Sequence, residues 1–356
     1  MKKIVSGIML TLLFMGILTF SINIKPAKST WTGTVYIRAD GSIEPLDAPI
    51  ITYNNVTYTL TDNITSSEDG IVVERDNIMI DGSGYTLQGT GEESYKGVDL
   101  NGRSNVTIKN IIITKFYYGI YLYYSSNSSI VRNTITANNY CGIYLGYSSN
   151  NSIYDNNFVD NARNAYSYNS MNVWDNGYPS GGNYWSDYNG TDLYSDPYQN
   201  DTGSDGIGDT SYIIDEDNAD RYPLMGPFNC FNTSIGYFVH VISNSTIEKF
   251  EFFESNNSIR MVVSNITANQ TIGFCRLTIP HILVAPPYNI AVNNTSVEYN
   301  TIFENETLSI IYFAYERSKL EIVIIPEFAP ALIMQIFIIM SMLVILITKK
   351  KFFLEL

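Results

Sequence analysis

Histidine, cysteine and charged residues are scarce in this chain of 356 residues, which has two His, three Cys and 16% Asp, Glu, Lys and Arg. A zinc module needs about four His or Cys ligands and a disulfide scaffold needs several cysteine pairs, so both classes are excluded. Helical periodicity is missing from the central part of the chain. Tyr is abundant instead, with 28 residues. This is not the composition of a cytosolic helical enzyme.

Basic charge is scarce as well, because the net charge is −14. Seven of the 21 Lys and Arg residues lie in the two terminal segments, so residues 30–330 hold 14 basic and 34 acidic residues and carry −20. Proteins that bind nucleic acid neutralise its phosphates with Lys and Arg. We therefore expect no nucleic-acid partner.

The first long apolar run covers residues 4–22. Lys2 and Lys3 precede it, and Ala27-Lys28-Ser29 follows it as a small-residue cleavage site. This order of a basic, an apolar and a small-residue region is typical of an export signal. The sequence predicts a signal peptide over residues 1–29; a retained membrane anchor is the alternative.

The second long apolar run covers residues 331–348 and is followed by three lysines at 349–351. Eighteen apolar residues are just enough for one membrane helix, and positive charge marks its cytoplasmic side. A buried soluble helix is the alternative. Fifteen Asn-x-Ser/Thr triplets between Asn55 and Asn305 fit a glycosylated exterior. We predict a single-pass cell-membrane protein with an extracellular body and a basic tail over residues 349–356.

A repeat of 22–23 residues occupies the centre of the chain. Gly119-Ile120-Tyr121-Leu122 recurs as Gly142-Ile143-Tyr144-Leu145, looser copies precede this pair, and a degenerate copy follows over residues 166–176. Each copy contains short alternating strands interrupted by Ser, Asn and Gly. This period predicts the coils of a right-handed parallel β-helix. A leucine-rich horseshoe would require a Leu-x-x-Leu-x-Leu frame, which is absent.

Stacked coils make residues one repeat apart into neighbours at about 4.8 Å. Apolar columns should fill the interior, and amide side chains stacked at a bend can hydrogen-bond along their column. Asn also tolerates the left-handed backbone of a sharp corner. The predicted columns are Ile108, Ile130 and Ile153; Leu100, Leu122 and Leu145; and Asn110, Asn133 and Asn156.

Two groups of motifs flank the repeat. The opening group is Thr34–Gly41, Tyr58–Leu60, Ile71–Asn77 and Asp81–Tyr85, and the closing group is Gly181–Tyr188, Asp205–Asp209 and Arg221–Met225. Over roughly residues 31–228 they resemble NosD-type β-helix proteins of archaeal cell surfaces. Pro326-Glu327-Phe328, before the apolar run, is similar to a Pro-Glu-Phe sorting signal of archaeal exported proteins.

The NosD resemblance implies an envelope accessory role in copper delivery. Copper prefers clustered Cys, Met and His side chains. His240 and His281 lie outside the repeat, and Cys141 is isolated within it. We therefore do not expect the resemblance to bring a copper site with it.

The predicted fold is all-β: the β-helix over residues 30–228, then a smaller β-sandwich over 229–325. Within the β-helix we expect a cap over about 31–69, coils over about 70–180 and an acidic closing segment over about 181–228; residues 326–330 form the linker to the membrane helix. About seven strands at roughly 12-residue spacing predict an immunoglobulin-like sandwich.

Cys230 and Cys275 could pair in an oxidising exterior, or Cys275 could be a buried thiol.

Three groups of residues are candidate sites. Tyr121, Tyr144, Tyr124 and Tyr147 form two outward columns, a flat aromatic stripe that could stack on sugar rings. The alternative is ordinary strand propensity.

Lys109, Arg132 and Asp155 align as a charged column, in which a lyase would use Arg132 or Lys109 as base or substrate clamp and Asp155 as acid or metal ligand. The alternative is a solvated corner of alternating charge.

Asp201, Asp205 and Asp209 have the spacing of a calcium loop, with Gly206 for the turn, although Gly203 and Tyr212 replace two of the expected acids. The alternative is a solvated acidic turn.

These features predict a membrane-anchored surface protein that binds or displays extracellular or envelope carbohydrate without catalysis. The first alternative is a polysaccharide lyase or glycoside hydrolase on the same scaffold. The second is an accessory protein for copper delivery. An enzyme should have charged residues that converge in a lateral groove with shifted pKa values, whereas a binding protein should have an open aromatic surface.

Overall fold

The computed structural model describes residues 31–266, 270–316 and 319–327, in which all regular structure is β-strand. The predicted all-β class is confirmed. In this part of the chain no helix is long and apolar enough to cross a membrane. The predicted signal peptide, membrane helix, cytoplasmic tail and Phe328 lie outside the described residues, and they stay predictions.

A right-handed parallel β-helix of about six coils forms the first part of the chain, as predicted. Each coil contributes in turn to three parallel sheets. Sheet 1 contains Val35–Ile37, Ile71–Val73, Lys96–Asp99, Tyr118–Tyr123, Cys141–Gly146 and Ala165–Tyr168. Sheet 2 contains Thr57–Leu60, Ile78–Asp81, Val106–Lys109, Ser129–Val131 and Ser152–Tyr154. Sheet 3 contains Trp31–Thr32, Ile64–Thr65, Thr86–Gln88, Ile112–Thr114, Thr134–Thr136, Asn157–Val159 and Tyr184–Trp185.

The segment expected to be only a cap, residues 31–69, already forms the first coil. Its strands pair in parallel with the second coil, for example Val35 with Ile71. The cap itself consists of two short antiparallel strands, Ile43–Glu44 and Ile50–Thr52, which cover the edges of sheets 1 and 2. Antiparallel pairing at this end protects the open edges of the parallel sheets.

The predicted apolar columns are confirmed. Ile108 pairs with Ile130, which pairs with Ile153, and all three are fully buried. Leu122 pairs with Leu145, and both are fully buried. Alternation places every second residue of each short strand inside, where burial of one Ile or Leu side chain contributes about 1.5–3 kcal/mol.

The predicted asparagine column is partly wrong. The Asn133 side-chain amide donates to Asn156 Oδ1 at 3.0 Å, and the Asn156 amide donates to Asn183 Oδ1 at 2.9 Å. Asn110 is not a member, because Ile111 N donates to Asn133 Oδ1 in its place. The cause is the coil length: Ile108 and Ile130 are 22 residues apart, whereas Ile130 and Ile153 are 23 apart. A constant step of 23 therefore displaces Asn110 by one residue.

Amide ladders run along the other two corners as well, and neither was predicted from the sequence. At the corner between sheets 1 and 2, Asn151 donates to Asn172 Oδ1 at 3.0 Å. At the corner between sheets 3 and 1, Asn138 donates to Asn161 Oδ1 at 2.8 Å. The 23-residue spacing of Asn138 and Asn161 is the sequence signal that could have found one of them.

The closing segment, residues 181–228, ends two of these ladders. Asn218 Oδ1 accepts from Asn172 N at 2.9 Å, and Asp220 Oδ2 accepts from Asn183 N at 2.7 Å. Two short antiparallel pairs shape it: Tyr194–Ser195 with Asp201–Thr202, and Tyr212–Ile213 with Ala219–Asp220. Buried Trp174 and Trp185 close the end of the apolar core. The segment thus supplies hydrogen-bond partners that a seventh coil would otherwise provide.

The second part of the described chain is a sandwich of two five-stranded antiparallel sheets. One sheet, in spatial order, is Phe228–Asn232, Phe238–Ser243, Ile272–Pro280, Leu308–Glu316 and Asn300–Glu304. The other is Ser245–Phe253, Ser258–Asn265, Leu320–Pro326, Tyr288–Val292 and Thr295–Val297. Buried side chains from both sheets share one core. These ten strands exceed the seven predicted, because Phe228–Asn232, Thr295–Val297 and Asn300–Glu304 lack a clear alternating pattern. The immunoglobulin-like type stays a prediction.

The three cysteines are free thiols in the described part of the chain. Cys275 is fully buried, as in the second alternative considered above. Cys230 lies on the strand Phe228–Asn232 of the same sheet, where it is paired with His240 of the adjacent strand Phe238–Ser243. The structure therefore contains no Cys230–Cys275 bond.

The sandwich packs against the β-helix through polar and apolar contacts. Asn157 accepts from Phe228 N at 2.7 Å and donates to Phe228 O at 2.9 Å. The buried Arg276 guanidinium donates to the backbone carbonyls of Asp205 and Pro179. A small apolar cluster completes the junction, formed by Ile207, Leu224, Phe228, Ile242 and Phe274.

Candidate functional site

A surface of ten tyrosines covers the outer side of sheet 1 and its flanking turns. In the strand Tyr118–Tyr123, Ile120 and Leu122 point inward, so Tyr121 and Tyr123 point outward. We name the following set the tyrosine surface: Tyr117, Tyr118, Tyr121, Tyr123, Tyr124, Tyr140, Tyr144, Tyr147, Tyr166 and Tyr168.

One column of this surface runs along the strands of sheet 1. Tyr121 is paired in register with Tyr144, and Tyr144 with Tyr166. Their ring centroids are 4.9 and 5.3 Å apart, with interplanar angles of 14° and 15°. The rings are therefore stacked face to face along the β-helix axis.

A second column lies where the strands end. Tyr124 and Tyr147 adopt a left-handed backbone, with φ of 50° and 52°. Their rings are stacked at 5.1 Å and 14°, and Tyr168 meets Tyr147 edge-on at 5.4 Å. The two outward columns predicted from the sequence are thus both present.

Six members of the surface were missed by the sequence analysis. Tyr117 and Tyr140 form a third stacked pair at 5.0 Å, and their 23-residue spacing could have revealed them. Tyr166 lies 22 residues after Tyr144, one coil further on. The others are Tyr118, Tyr123 and Tyr168, which are not paired with another tyrosine. Tyr118 is paired with Cys141 in the next coil, and Gly146 is paired with Tyr123 on one side and Tyr168 on the other.

The ring arrangement limits where a sugar ring could stack on this surface. Stacked rings cover each other's faces, so a sugar cannot lie flat on the interior rings of a column. Lys96 lies 5.2 Å from the Tyr121 ring centroid at one end of the first column, and Arg163 lies 5.0 Å from that of Tyr166 at the other. The interior of the first column therefore presents ring edges and phenol hydroxyls to solvent.

The hydroxyls of Tyr118 and Tyr121 remain protonated at physiological pH. Burial, with the neighbouring tyrosines, raises the pKa of Tyr118 and Tyr121 to about 12. A neutral phenol can both donate and accept a hydrogen bond. The surface is therefore a row of paired donors and acceptors between apolar ring edges.

The predicted charged column of Lys109, Arg132 and Asp155 is divided in the structure. Lys109 is paired in register with Val131, and Val131 with Tyr154. Arg132 and Asp155 follow Val131 and Tyr154 and are therefore neighbours in adjacent coils. Lys109 is displaced from them because the coil step from Lys109 to Val131 is 22 residues, whereas the next step is 23. Lys109 forms its ion pair with Asp81 in the preceding coil at 3.2 Å.

Arg132 and Asp155 nevertheless lie close together beside the sandwich. Arg132 Nε is 3.7 Å from Asp155 Oδ2. Burial raises the pKa of Asp155 to about 7, although Arg132 partly offsets this effect. His240 faces the same space, and burial lowers its pKa to about 4. The lyase assignment of Arg132 and Asp155 stays a prediction.

The three aspartates of the predicted calcium loop are held apart. Asp201 is exposed, whereas Asp205 is fully buried and its Oδ1 accepts from Ile207 N at 2.9 Å. Asp209 accepts from the backbone amides of Leu193 and Tyr194. Among the described residues no three His, Cys, Asp or Glu side chains are grouped to hold a metal ion. The calcium prediction gains no support from this geometry, and neither does a copper site at His240, His281 or Cys141.

Comparison with known proteins supports the fold of the first part of the chain. Residues 29–190 match the model of the family described as periplasmic copper-binding protein (NosD). The NosD-like resemblance is thereby confirmed over that segment, while archaeal origin and the Pro-Glu-Phe signal stay predictions. Among curated proteins no match is found.

Two tailspike structures are similar to the chain at low identity. Tailspike protein 2 from Escherichia coli O157:H7 bacteriophage CAB120 is 13% identical, with coverage of 75% of this chain and 47% of that one and a TM-score of 0.29. The Dettilon tailspike protein is 11% identical, with coverage of 74% and 68% and a TM-score of 0.16. The chain spans about half the length of the first tailspike.

Proposed function

We propose that this protein is exported, held at the cell membrane by its C-terminal segment, and binds extracellular or envelope carbohydrate through the tyrosine surface without catalysis. The observation that carries this proposal is the continuous face of ten tyrosines on sheet 1. Its hydroxyls match the donor and acceptor pattern of sugar hydroxyls, and its ring edges match the apolar C–H groups between them.

The distribution of aromatic residues supports a role beyond packing. The two phenylalanines of the coils, Phe116 and Phe158, are buried in the core, whereas every ring of the sheet 1 surface carries a hydroxyl. Ile, Val and Leu already fill the interior, so the outer rings are not needed there. Ring stacking would stabilise the coils equally well with phenylalanine.

An exterior location is supported by the sequence signals at the two ends and by the glycosylation triplets. Of these triplets, Asn127, Asn189 and Asn294 have exposed side chains and are accessible for modification. The sandwich then acts as a spacer between the membrane and the β-helix.

The test is a glycan-array screen with the full chain in detergent, followed by affinity measurement on any neutral glycan that binds. The decisive variant is Tyr121→Phe combined with Tyr144→Phe and Tyr166→Phe, which keeps the stacked rings and removes three hydroxyls. Each hydrogen bond contributes about 0.5–1.5 kcal/mol, so we expect the affinity to fall at least tenfold. The matched control is Tyr53→Phe in the cap, where the side chain is 94% exposed; it should bind as the unmodified chain does. Unchanged affinity in the triple variant, or no glycan bound at all, would refute the proposal.

A further inference from the structure

A groove runs between the β-helix and the sandwich, away from the tyrosine surface. It follows the corner between sheets 2 and 3 on one side and the sandwich strands Phe228–Asn232 and Phe238–Ser243 on the other. Two adjoining cavities of about 560 and 370 Å³ form it, and both are lined by Arg132 and Phe228. Cavities of this size accommodate small-molecule ligands. We name this feature the interdomain groove.

Arg132 is the cation at the centre of the groove, and its hydrogen-bonding capacity is largely unused. Its 3.7 Å contact with Asp155 is too long for a hydrogen bond, and its side chain is 35% exposed. By contrast, Arg221 holds Asp175 with two hydrogen bonds, at 2.7 and 2.9 Å. A guanidinium has five N–H donors in a planar fork that fits a carboxylate.

The other cations along the groove are already engaged. Lys109 is paired with Asp81 at 3.2 Å. Arg276 is buried and donates to the backbone carbonyls of Asp205 and Pro179. Of the basic side chains described here, Arg132 is therefore the one placed to receive an anionic group in the groove.

The remaining lining combines amides with exposed aromatic rings. Asn110 and Asn232 contribute amide groups, which can donate to and accept from sugar hydroxyls. Phe238 is 49% exposed and Phe303 is 38% exposed, although both are large apolar residues. Such rings provide flat apolar contact for the C–H face of a sugar.

We propose that the interdomain groove binds a uronate-containing saccharide, whose carboxylate pairs with Arg132 while its ring packs on the exposed phenylalanines. This site is separate from the tyrosine surface and takes an acidic sugar in place of a neutral one. Guanidinium, amides and aromatic rings together match the three chemical features of such a ligand: carboxylate, hydroxyls and apolar ring face.

Asp155 makes this binding pH-dependent. Burial raises its pKa to about 7, so below neutral pH it becomes protonated and no longer competes for Arg132. The uronate keeps its charge down to about pH 4. The sandwich groups that face this space are His240, Cys230 and Arg276. Burial lowers the pKa of His240 to about 4 and raises that of Cys230, so both are neutral between pH 5 and 8. Arg276 donates to the backbone carbonyls of Asp205 and Pro179. The affinity should therefore increase several-fold between pH 8 and pH 6.

The experiment is calorimetric titration of the full chain in detergent with a short oligogalacturonate and with the matching neutral galactose oligomer. With the tyrosine surface disabled by Tyr121→Phe, Tyr144→Phe and Tyr166→Phe, we expect the acidic oligomer to bind and the neutral one to bind at least tenfold more weakly. Arg132→Gln should lower the affinity for the acidic oligomer at least tenfold. The control Arg260→Gln removes an arginine of the other sandwich sheet, which is paired with Glu321, and should leave the affinity unchanged.

Two further variants keep the test decisive if Arg132→Gln does not fold. Arg132→Lys keeps the charge but loses the planar fork, so an intermediate affinity is expected. Asp155→Asn mimics the protonated acid, and its affinity should be high and constant from pH 8 to pH 6. Equal binding of both oligomers by the triple Tyr→Phe variant, an Arg132→Gln chain that binds the acidic oligomer as tightly as the unmodified chain, or an unchanged pH dependence in Asp155→Asn would each overturn the proposal.

The proposals for the groove and for the tyrosine surface can be refuted independently. The triple Tyr→Phe variant should bind the acidic oligomer normally, and Arg132→Gln should bind neutral glycan normally. Loss of acidic binding in the tyrosine variant would contradict the groove assignment.

Discussion

Asn156 is the position where the amide ladder can be tested most directly. It is fully buried. Its Oδ1 accepts from the backbone N–H and from the side-chain amide of Asn133, both at 3.0 Å, and its own amide donates to Ile130 O at 2.7 Å. Asn156→Ala leaves the Asn133 N–H without a partner in the core and weakens the bonding of the Ile130 carbonyl. At about 1–3 kcal/mol for each unsatisfied buried group, the free energy of unfolding should fall by about 2–6 kcal/mol.

The matched control is Asn110→Gly, since a constant 23-residue period would make Asn110 equivalent to Asn156. Asn110 is half-buried, with φ of 54°, and makes one 3.2 Å bond to Asp81. Glycine tolerates this backbone, so we expect a loss of about 1 kcal/mol or less. Urea unfolding followed by tyrosine and tryptophan fluorescence measures both variants. Equal losses in the two would refute the register of the ladder, and a negligible loss in Asn156→Ala would refute its energetic importance.

Two other predictions concern pH and thiols. Burial raises the pKa of Asp155, Asp192 and Asp220 to about 7, above the value near 4 in the unfolded chain, so the folded state binds more protons between these values. The free energy of unfolding should therefore rise as the pH falls from 8 to 5, by on the order of 2 kcal/mol for each carboxyl. Urea unfolding at several pH values measures this, and a free energy of unfolding that stays constant or falls would contradict it. Asp220→Asn should reduce the dependence of the free energy of unfolding on pH. The denatured, unreduced chain should contain three thiols that react with a thiol reagent. Cys141 and Cys275 are buried and should be protected from the reagent in the native state. A count of one thiol in the denatured chain would indicate a Cys230–Cys275 disulfide.

The repeat predicted the β-helix because its core is quasi-one-dimensional. Each coil contacts its neighbours only, so a period of 22–23 residues with alternating apolar positions determines which side chains stack. Ile108, Ile130 and Ile153 follow from that pattern alone, and so do the pairs Tyr121–Tyr144 and Tyr124–Tyr147. The same logic failed at Asn110 and Lys109, because one coil is a residue shorter than the next and a single-residue step moves a side chain to another column.

The aromatic stripe illustrates what spacing does not contain. Spacing indicates that two tyrosines are neighbours, but ring orientation depends on rotamers that are selected by packing within the column. Only the tertiary structure shows that the Tyr121 and Tyr144 rings face each other and turn their hydroxyls and edges outward. Contact with a sugar through ring faces is therefore limited to the end rings of the columns, and the interior rings offer hydroxyls and edges.

The amino-acid sequence by itself determined the fold class, the coil period and the apolar columns, because local alternation and repetition are sufficient to specify a stack of similar coils. Tertiary structure decided which charges meet in the interdomain groove. Arg132 and His240 are 108 residues apart and belong to different domains, so no periodicity relates them; they face one space only because Asn157 and Phe228 join the sandwich to the side of the β-helix.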